Sequence, residues 1–204
     1  MKIINRTSLD SAKLGEMVLG AVGTWPHDGL VVTVRYSRGA EFSGTCYYQT
    51  ARIFINVGRH NQYPYAIRTA IARPRSNARC WWRELYTIAA ADAYQLVLFV
   101  FLHEFYHWLV RKARRNVRQK EARCDRFAAR ILVDRCGAEV RDPHGRSVPR
   151  SAWDFQDLDH FVAAALRTRP RRPCRPAALT PIAVGPGGLP AAPPADRQLL
   201  LFDM

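Results

Sequence analysis

The chain has 204 residues and a hydrophobic content of 48%, which suits one folded domain with a tail. Lysine and arginine number 31 against 17 acidic residues, giving a formal net charge of +14. This excess of positive charge indicates a polyanionic partner such as nucleic acid. The alternative is an arginine bias that comes from a GC-rich genome, with the charged residues on solvated faces. Five cysteines with no CxxC pair argue against a disulfide framework or a zinc knuckle, and favour a reducing cytoplasm.

The first 57 residues predict one helix followed by three strands. Apolar residues at helical spacing place the helix from Ser8 to about Val22, with Ser8 or Asp10 as its cap. A turn cluster follows at residues 23–29. The strands are rich in valine and aromatic residues, and the last two are expected to pair as a hairpin: Leu30–Tyr36, Thr45–Tyr48 and Arg52–Val57.

The middle of the chain is predicted to be a loop over Gly58–Asn77 and a helix after it. The apolar run Leu85–Leu102 is long enough to suggest a membrane span. Asp92 and Gln95 interrupt it, however, so a buried helix is favoured. The N-terminal residues do not predict a secretory signal. We therefore expect a cytoplasmic protein without a membrane partner.

The segment His103-Glu-Phe-Tyr-His107 carries the pattern His-Glu-x-x-His at the end of the apolar run. On a helix, the i, i+4 spacing turns both imidazoles to one side, where they can bind one zinc ion. Glu104 can then reach a metal-bound water and act as general base. The alternative is a pair of exposed helix histidines without a metal.

A catalytic zinc needs a third protein ligand, and Glu121 is the best candidate. It opens a second predicted helix, whose buried stripe is Phe127, Ala128, Ile131 and Leu132. Asp125 lies one turn further along the same face and can accept the distal ring N–H of a zinc-bound histidine. The alternative for both acids is ordinary solvated charge paired with neighbouring arginines.

HEFYH followed by EARCDRFAARIL resembles the gluzincin arrangement of zinc metallopeptidases and is most similar to the ImmA/IrrE type. The resemblance covers roughly Leu85–Val133. It implies a zincin-like fold, with His103, His107 and Glu121 as zinc ligands, Glu104 as general base and Asp125 as support. The chain departs from the pattern at Cys124, which replaces the usual alanine, and at Arg123, and no Met-Pro follows the second helix.

A weaker similarity concerns the upstream segment GTCYYQTARIFINV, which resembles the strand pair before the active helix of SprT-like proteases. Those enzymes use a third histidine, and His144 and His160 lack that family's context, so Glu121 is retained. Cys124 is expected near the metal, either as a small buried residue or as a thiol that binds the zinc. No motif identifies an oxyanion donor; the candidates are His144, His160, Tyr106, Tyr63 and Tyr65.

Basic residues crowd the link between the two metal-binding helices and predict a contact with phosphate groups. The residues assigned to nucleic-acid binding are Arg111, Lys112, Arg114, Arg115 and Arg118. Several aromatic residues could stack on bases, although core packing is the alternative. They are Tyr47, Tyr48, Tyr63, Tyr65, Trp81 and Trp82.

The C-terminal part predicts a last helix over Ser151–Leu166 and then a change of composition. Residues 168–197 are rich in Pro, Ala and Arg, which is typical of a disordered linker. The terminal segment, residues 198–204, resembles the Gln-Leu-x-Leu-Phe peptide by which bacterial proteins dock on the replicative sliding clamp. The docking residues would be Gln198, Leu199, Leu201 and Phe202. The alternative is that this segment folds back onto its own domain.

Together these features predict a single α+β domain over residues 1–167, with a small sheet beside an active-site helix and a second ligand-bearing helix. The expected function is zinc-dependent hydrolysis of a protein substrate near DNA, with a nucleoid association. Cleavage or removal of a repressor is a second enzymatic role. A basic nucleic-acid-binding module with a structural metal is the non-enzymatic alternative.

Overall fold

The computed structural model describes residues 1–115 and 121–167, which form a mixed α+β fold. By internal contacts the chain divides into Met1–Arg169 and Pro170–Met204, and the second unit lies outside the described residues. None of the described helices is both long enough and apolar enough to cross a membrane.

The N-terminal half is a β-α-β unit extended by a hairpin. Strand β1 (Lys2–Arg6) leads to helix α1 (Ser11–Val22), and three strands follow: β2 (Val31–Tyr36), β3 (Phe42–Tyr47) and β4 (Arg52–Val57). The four strands form one sheet in the order β1-β2-β4-β3. Strands β1, β2 and β4 run parallel, whereas β3 is antiparallel to β4.

Local chemistry explains where α1 begins and ends. The Asp10 side chain accepts a hydrogen bond from the backbone N–H of Lys13 at 2.7 Å. Of the two predicted caps, Ser8 and Asp10, the helix therefore uses Asp10. Gly23 ends the helix with a positive φ of 56°, a conformation that glycine adopts without a steric penalty. The hairpin predicted for Thr45–Tyr48 and Arg52–Val57 is also confirmed, as the antiparallel pair of β3 and β4.

The predicted loop over Gly58–Asn77 is wrong, because it contains a strand of a second sheet. Strand β5 (Tyr65–Thr69) precedes a short hairpin of β6 (Arg75–Ser76) and β7 (Trp81–Trp82), and then β8 (Tyr86–Ala90). Strands β5 and β8 pair antiparallel, and β9 (Val140–Arg141) adds to β8. Only this long-range pairing makes β5 a strand.

The helix predicted over Leu85–Leu102 is wrong for its first part, because Tyr86–Ala90 form strand β8. Helix α2 (Ala93–Lys112) begins after Asp92, whose side chain accepts a hydrogen bond from the backbone N–H of Gln95 at 2.8 Å. An N-cap aspartate stabilises a helix start. Asp92 therefore separates strand from helix.

Helix α3 (Glu121–Cys136) follows α2 and packs against it. Of its predicted stripe, Phe127, Ala128 and Leu132 are buried and Ile131 is half-buried. The predicted last helix is divided into α4 (Arg150–Trp153) and α5 (Leu158–Arg167). Helix α2 packs on β3 and β4, and its apolar stretch is buried from Leu96 to Leu102, which makes it the centre of the core.

Candidate metal centre

Helix α2 presents two imidazoles to one point. His103 and His107 lie one turn apart, with ring centroids 5.0 Å apart and their Nε2 atoms 3.2 Å apart. Their side chains are only 18% and 13% exposed. The two residues are therefore not exposed helix histidines. Their imidazoles turn to the same side of α2, as predicted.

Helix α3 brings a carboxylate to the same point from its first residue. The Oε2 atom of Glu121 lies 3.1 Å from His103 Nε2, and its Oε1 atom lies 3.3 Å from His107 Nε2. The Glu121 side chain is 72% exposed. The carboxylate thus spans both imidazoles on the side of the site that opens to solvent.

The donor atoms fit a zinc ion in type and in spacing. In the tautomer in which His103 donates its Nδ1–H, the Nε2 atom offers a lone pair, as do the carboxylate oxygens of Glu121. Acceptors separated by 3.1, 3.2 and 3.3 Å require a proton or a cation between them. Two ligands of one tetrahedral zinc, each about 2.1 Å from it, are about 3.4 Å apart.

Asp125 contacts the other ring nitrogen of His103, Nδ1. Its Oδ1 atom lies 2.9 Å from His103 Nδ1, and its Oδ2 atom accepts a hydrogen bond from the backbone N–H of Ala70 at 2.8 Å. The carboxylate therefore links α2, α3 and the residue that follows β5. Such a contact fixes the ring orientation and directs the Nε2 lone pair towards the converging donors.

Cys124 is the second candidate for a third ligand. Its thiol sulfur and the ring nitrogens of His103 and His107 all lie within 4.8 Å of one another. These three residues form a candidate metal-binding triad in the described part of the chain. The thiol is fully buried, on α3 one turn after Glu121. Glu121 and Cys124 therefore both remain candidates for the third ligand, and the Glu121 oxygens lie 3.1 and 3.3 Å from the imidazole nitrogens.

Glu104 lies between α2 and strand β3, beside the imidazoles. A Cβ atom on Gly44 would stand 2.5 Å from Glu104 Oε1 and 2.6 Å from its Cγ, so only glycine allows this approach without displacement. The Cys46 backbone forms a further hydrogen bond with the carboxylate. The carboxylate is thereby placed against the edge strand of the first sheet.

The charges of the site are strongly coupled. Burial opposes a positive charge on His103, but hydrogen bonds to Asp125 and Glu121 outweigh this effect and raise its pKa to about 10. Hydrogen bonds from His103 and His107 hold the pKa of Glu121 well below its ordinary value. Burial raises the pKa of Glu104 although the two histidines oppose the increase. A carboxylate that binds protons more readily suits proton transfer.

Within residues 1–115 and 121–167, none of the candidate oxyanion donors forms a hydrogen bond with His103, His107 or Glu121. The Tyr106 hydroxyl is buried and donates to the Leu158 carbonyl at 3.2 Å. The Tyr65 hydroxyl donates to the Glu41 carboxylate. His144 lies in the loop after β9, where its backbone N–H donates to Asp142. Of the remaining candidates, Tyr63 precedes β5 and His160 is in α5.

The predicted phosphate contacts are only partly described. Arg111, Lys112 and Arg114 are exposed at the end of α2 and just after it. The exposed Arg115 donates its Nε–H to the Phe161 carbonyl at 3.3 Å. Arg118 lies outside the described residues. So do the docking residues Gln198, Leu199, Leu201 and Phe202.

Two residues near the site were not predicted from the sequence. Gly44 is one, because no local pattern reveals that β3 approaches Glu104. Tyr48 is the other: burial raises its pKa to about 12, and the charges of Cys46 and Glu104 contribute. The Tyr48 ring also lies 6.0 Å from the Arg111 guanidinium carbon. Both residues come to the site through tertiary packing.

Comparison of the chain with protein-family models, with curated proteins and with solved structures gave no match in any of the three.

Proposed function

We propose that the protein is a zinc-dependent metallopeptidase with a zincin-like fold. The observation that carries this proposal is the convergence of the His103, His107 and Glu121 donor atoms at separations of 3.1, 3.2 and 3.3 Å. His103, His107 and Glu121 would hold the metal. The exposed side of Glu121 leaves room for water and substrate, as a catalytic zinc site requires.

A zinc ion held by His103, His107 and Glu121 would supply Lewis acidity, which activates water for attack on a peptide carbonyl. Glu104 accepts a proton from the attacking water and delivers it to the leaving amine. Contact with Gly44 and the Cys46 backbone keeps its carboxylate beside the imidazoles. Asp125 accepts the Nδ1–H of His103 and so keeps that ring in its binding orientation.

Strand β3 is the proposed binding element for an extended protein substrate. It pairs with β4 on one side, and in the described ranges no strand pairs with its other side. A peptide can add to such an edge through main-chain hydrogen bonds. Because Gly44 of β3 touches Glu104, a peptide on this edge would pass beside the general base.

The substitution Glu104→Gln tests the catalytic role. The amide has nearly the same shape but cannot accept a proton, so peptide hydrolysis should fall by roughly 10²–10⁴-fold. Zinc content and the melting temperature should stay as in the wild type. The measurement is cleavage of a fluorogenic peptide library alongside metal analysis. Asp134→Asn, at an exposed carboxylate on α3, is the matched control. Undiminished cleavage by Glu104→Gln would refute the assignment.

The third ligand is tested by two single substitutions in α3. Glu121→Ala should lower zinc affinity strongly and abolish cleavage, because a carboxylate ligand is lost. Cys124→Ala should leave one zinc per chain and near-normal cleavage. Zinc affinity is measured by competition with a chelator of known strength. The opposite pattern would identify Cys124 as the ligand and Glu121 as a solvated charge.

The second candidate function is a nucleic-acid-binding module with a structural metal. The buried thiol of Cys124 near both imidazoles favours it, because a closed set of four protein ligands is typical of structural zinc sites. In that case both Glu121→Ala and Cys124→Ala should release the metal and unfold the protein. Glu104→Gln should then have no effect on any activity.

The cellular setting is proposed from charge and from the C-terminal peptide alone. Action near DNA would follow from the net charge of +14 and from docking of residues 198–204 on the sliding clamp. Deletion of these residues should abolish localisation to replication sites while cleavage in solution is unchanged. Unchanged localisation would favour the second enzymatic role, cleavage of a repressor.

A further inference from the structure

The four-stranded sheet has a second face, which points away from α2. Side chains alternate between faces along a strand, and Gly44 and Cys46 face Glu104 on the α2 side. The strand register therefore places twelve residues on the opposite face, called here the outer face. In three rows across β1, β2, β4 and β3 they are Lys2, Val31, Arg52, Tyr47; Ile4, Thr33, Phe54, Thr45; and Arg6, Arg35, Asn56, Ser43.

The outer face is positively charged and carries no carboxylate. Lys2, Arg6, Arg35 and Arg52 are all exposed, and none of them forms an ion pair within residues 1–115 and 121–167. An open cavity of about 790 Å³ lies at its third row. Its basic lining residues are Arg6, Arg35, Arg38 and Arg59. Uncompensated cations around an open cavity attract a polyanion.

Aromatic rings occupy the centre and one corner of the outer face. Tyr47 is 53% exposed and meets Phe54 edge-on, with ring centroids 5.6 Å apart. The Arg35 guanidinium lies 5.1 Å from the Phe54 ring centroid. Aromatic faces and guanidinium planes are the groups on which unpaired bases stack.

Hydrogen bonds hold the third row in place. Arg35 donates its Nε–H to Asn56 Oδ1 at 2.6 Å, and Asn56 donates its Nδ2–H to Ser43 Oγ at 2.8 Å. The guanidinium is thus positioned by three adjacent strands. A preorganised cation loses less conformational freedom when it binds phosphate.

We infer that the outer face binds single-stranded nucleic acid. Cations in its first and third rows would contact phosphates. Tyr47, Phe54 and the Arg35 plane would stack on bases, which are accessible only in an unpaired strand. A duplex hides its base faces, and an acidic protein would not use the rings in this way. The inference does not depend on the metal centre, which is on the opposite side of the sheet.

Aromatic variants of the full-length protein test the stacking contacts. Fluorescence anisotropy with labelled oligothymidine, oligouridine and a duplex should show preferential binding of a single strand. Tyr47→Ala and Phe54→Leu should each weaken binding roughly 5- to 100-fold, because one stacked base is lost. Leu19→Ala is the control, since Leu19 is an apolar residue that is 48% exposed on α1, and it should bind as the wild type does.

Charge variants test the phosphate contacts. The double substitution Arg6→Ala/Arg52→Ala should reduce the slope of log affinity against log salt by about 1.4, or about 0.7 for each phosphate contact. Arg68→Ala/Arg79→Ala removes the same charge from exposed positions elsewhere and should preserve the slope. Melting temperature and zinc content verify the fold of every variant.

Several outcomes would overturn the inference. They are absence of binding at low salt, equal affinity for duplex and single strand, or equal losses in the outer-face variants and their controls. A concentration-dependent dimer that Tyr47→Ala dissociates would show that a second copy covers the face. Binding of only oligothymidine or only oligouridine would support the inference and assign the nucleic acid as DNA or RNA.

Discussion

The Glu104 side chain packs against Gly44, and this packing shows how the position of one side chain depends on another element. The Glu104 carboxylate occupies the space that a β-carbon of residue 44 would need. Its position is therefore determined by a glycine on a strand that lies 60 residues earlier in the chain. A substitution at this glycine should act on proton transfer and not on metal binding.

Gly44→Ala should lower the turnover of peptide by tenfold or more, because general-base catalysis contributes roughly 10²–10⁴-fold and the carboxylate must move. Zinc affinity should be unchanged. Gly15→Ala is the control, since a Cβ on Gly15 in α1 meets nothing within 4 Å. It should stabilise the protein by about 0.5–1 kcal/mol, because alanine favours a helix. Normal turnover by Gly44→Ala would show that Glu104 is not the base.

Asp125 must accept two hydrogen bonds, from His103 and from the backbone of Ala70. An asparagine at this position would have only one acceptor oxygen, so Asp125→Asn turns one contact into a clash of two donors. Zinc affinity should fall about 10- to 100-fold, as measured by chelator competition. Asp134 on the same helix forms an exposed ion pair with Arg150, so Asp134→Asn should bind zinc normally. Equal affinities would mean that Asp125 does not orient His103.

The position of helix α3 depends on a buried arginine next to Asp125. Arg126 is 2% exposed and donates its Nε–H to the Ile71 carbonyl at 2.9 Å, while Asp125 binds the adjacent Ala70. Burial, together with the nearby charge of Arg83, lowers the pKa of Arg126 to about 10. The two neighbouring side chains thus attach α3 to the segment that follows β5.

Arg126→Met should destabilise the protein by about 1–3 kcal/mol, because the buried Ile71 carbonyl loses its donor. The measurement is urea unfolding of the metal-free protein, so that zinc does not mask the effect. Arg135→Met, at an exposed position of the same helix, should change stability by less than about 0.5 kcal/mol. If the two variants unfold alike, the arginine does not anchor α3.

In residues 1–115 and 121–167, the four-stranded sheet has two different faces. On the α2 side, ligands from α2 and α3 converge at the candidate metal centre. On the outer face, cations and aromatic rings are exposed. A metal bound between α2 and α3 would join two elements that the backbone connects only through residues 113–120, so its removal should affect stability.

Removal of zinc with a chelator should lower the melting temperature and make it depend on the zinc concentration. Zinc at 100 times its dissociation constant adds about 2.7 kcal/mol to the stability of a folded state that alone binds it. The double variant His103→Ala/His107→Ala should melt at one temperature with or without chelator. Calorimetry measures both. A wild type that is insensitive to zinc and chelator would contradict a metal centre.

Local chemistry allowed the sequence to determine several features by itself. Four such features depend on residues close in sequence: the cap of α1 at Ser8 or Asp10, the apolar stretch of α2, the hairpin of β3 with β4, and the i, i+4 pair of His103 and His107. Periodicity, capping and turn chemistry act over a few residues, so they can be recognised without tertiary contacts.

Tertiary structure alone decided the features that depend on residues far apart in the chain. Residues Tyr65–Thr69 and Tyr86–Ala90 become strands because they pair with each other, and their local sequences predicted a loop and a helix. The contact of Gly44 with Glu104 and the choice between the Glu121 and Cys124 positions also depend on how α2, α3 and β3 pack. The outer face exists only because strand register aligns side chains from four strands, and register is set by pairing across the whole sheet.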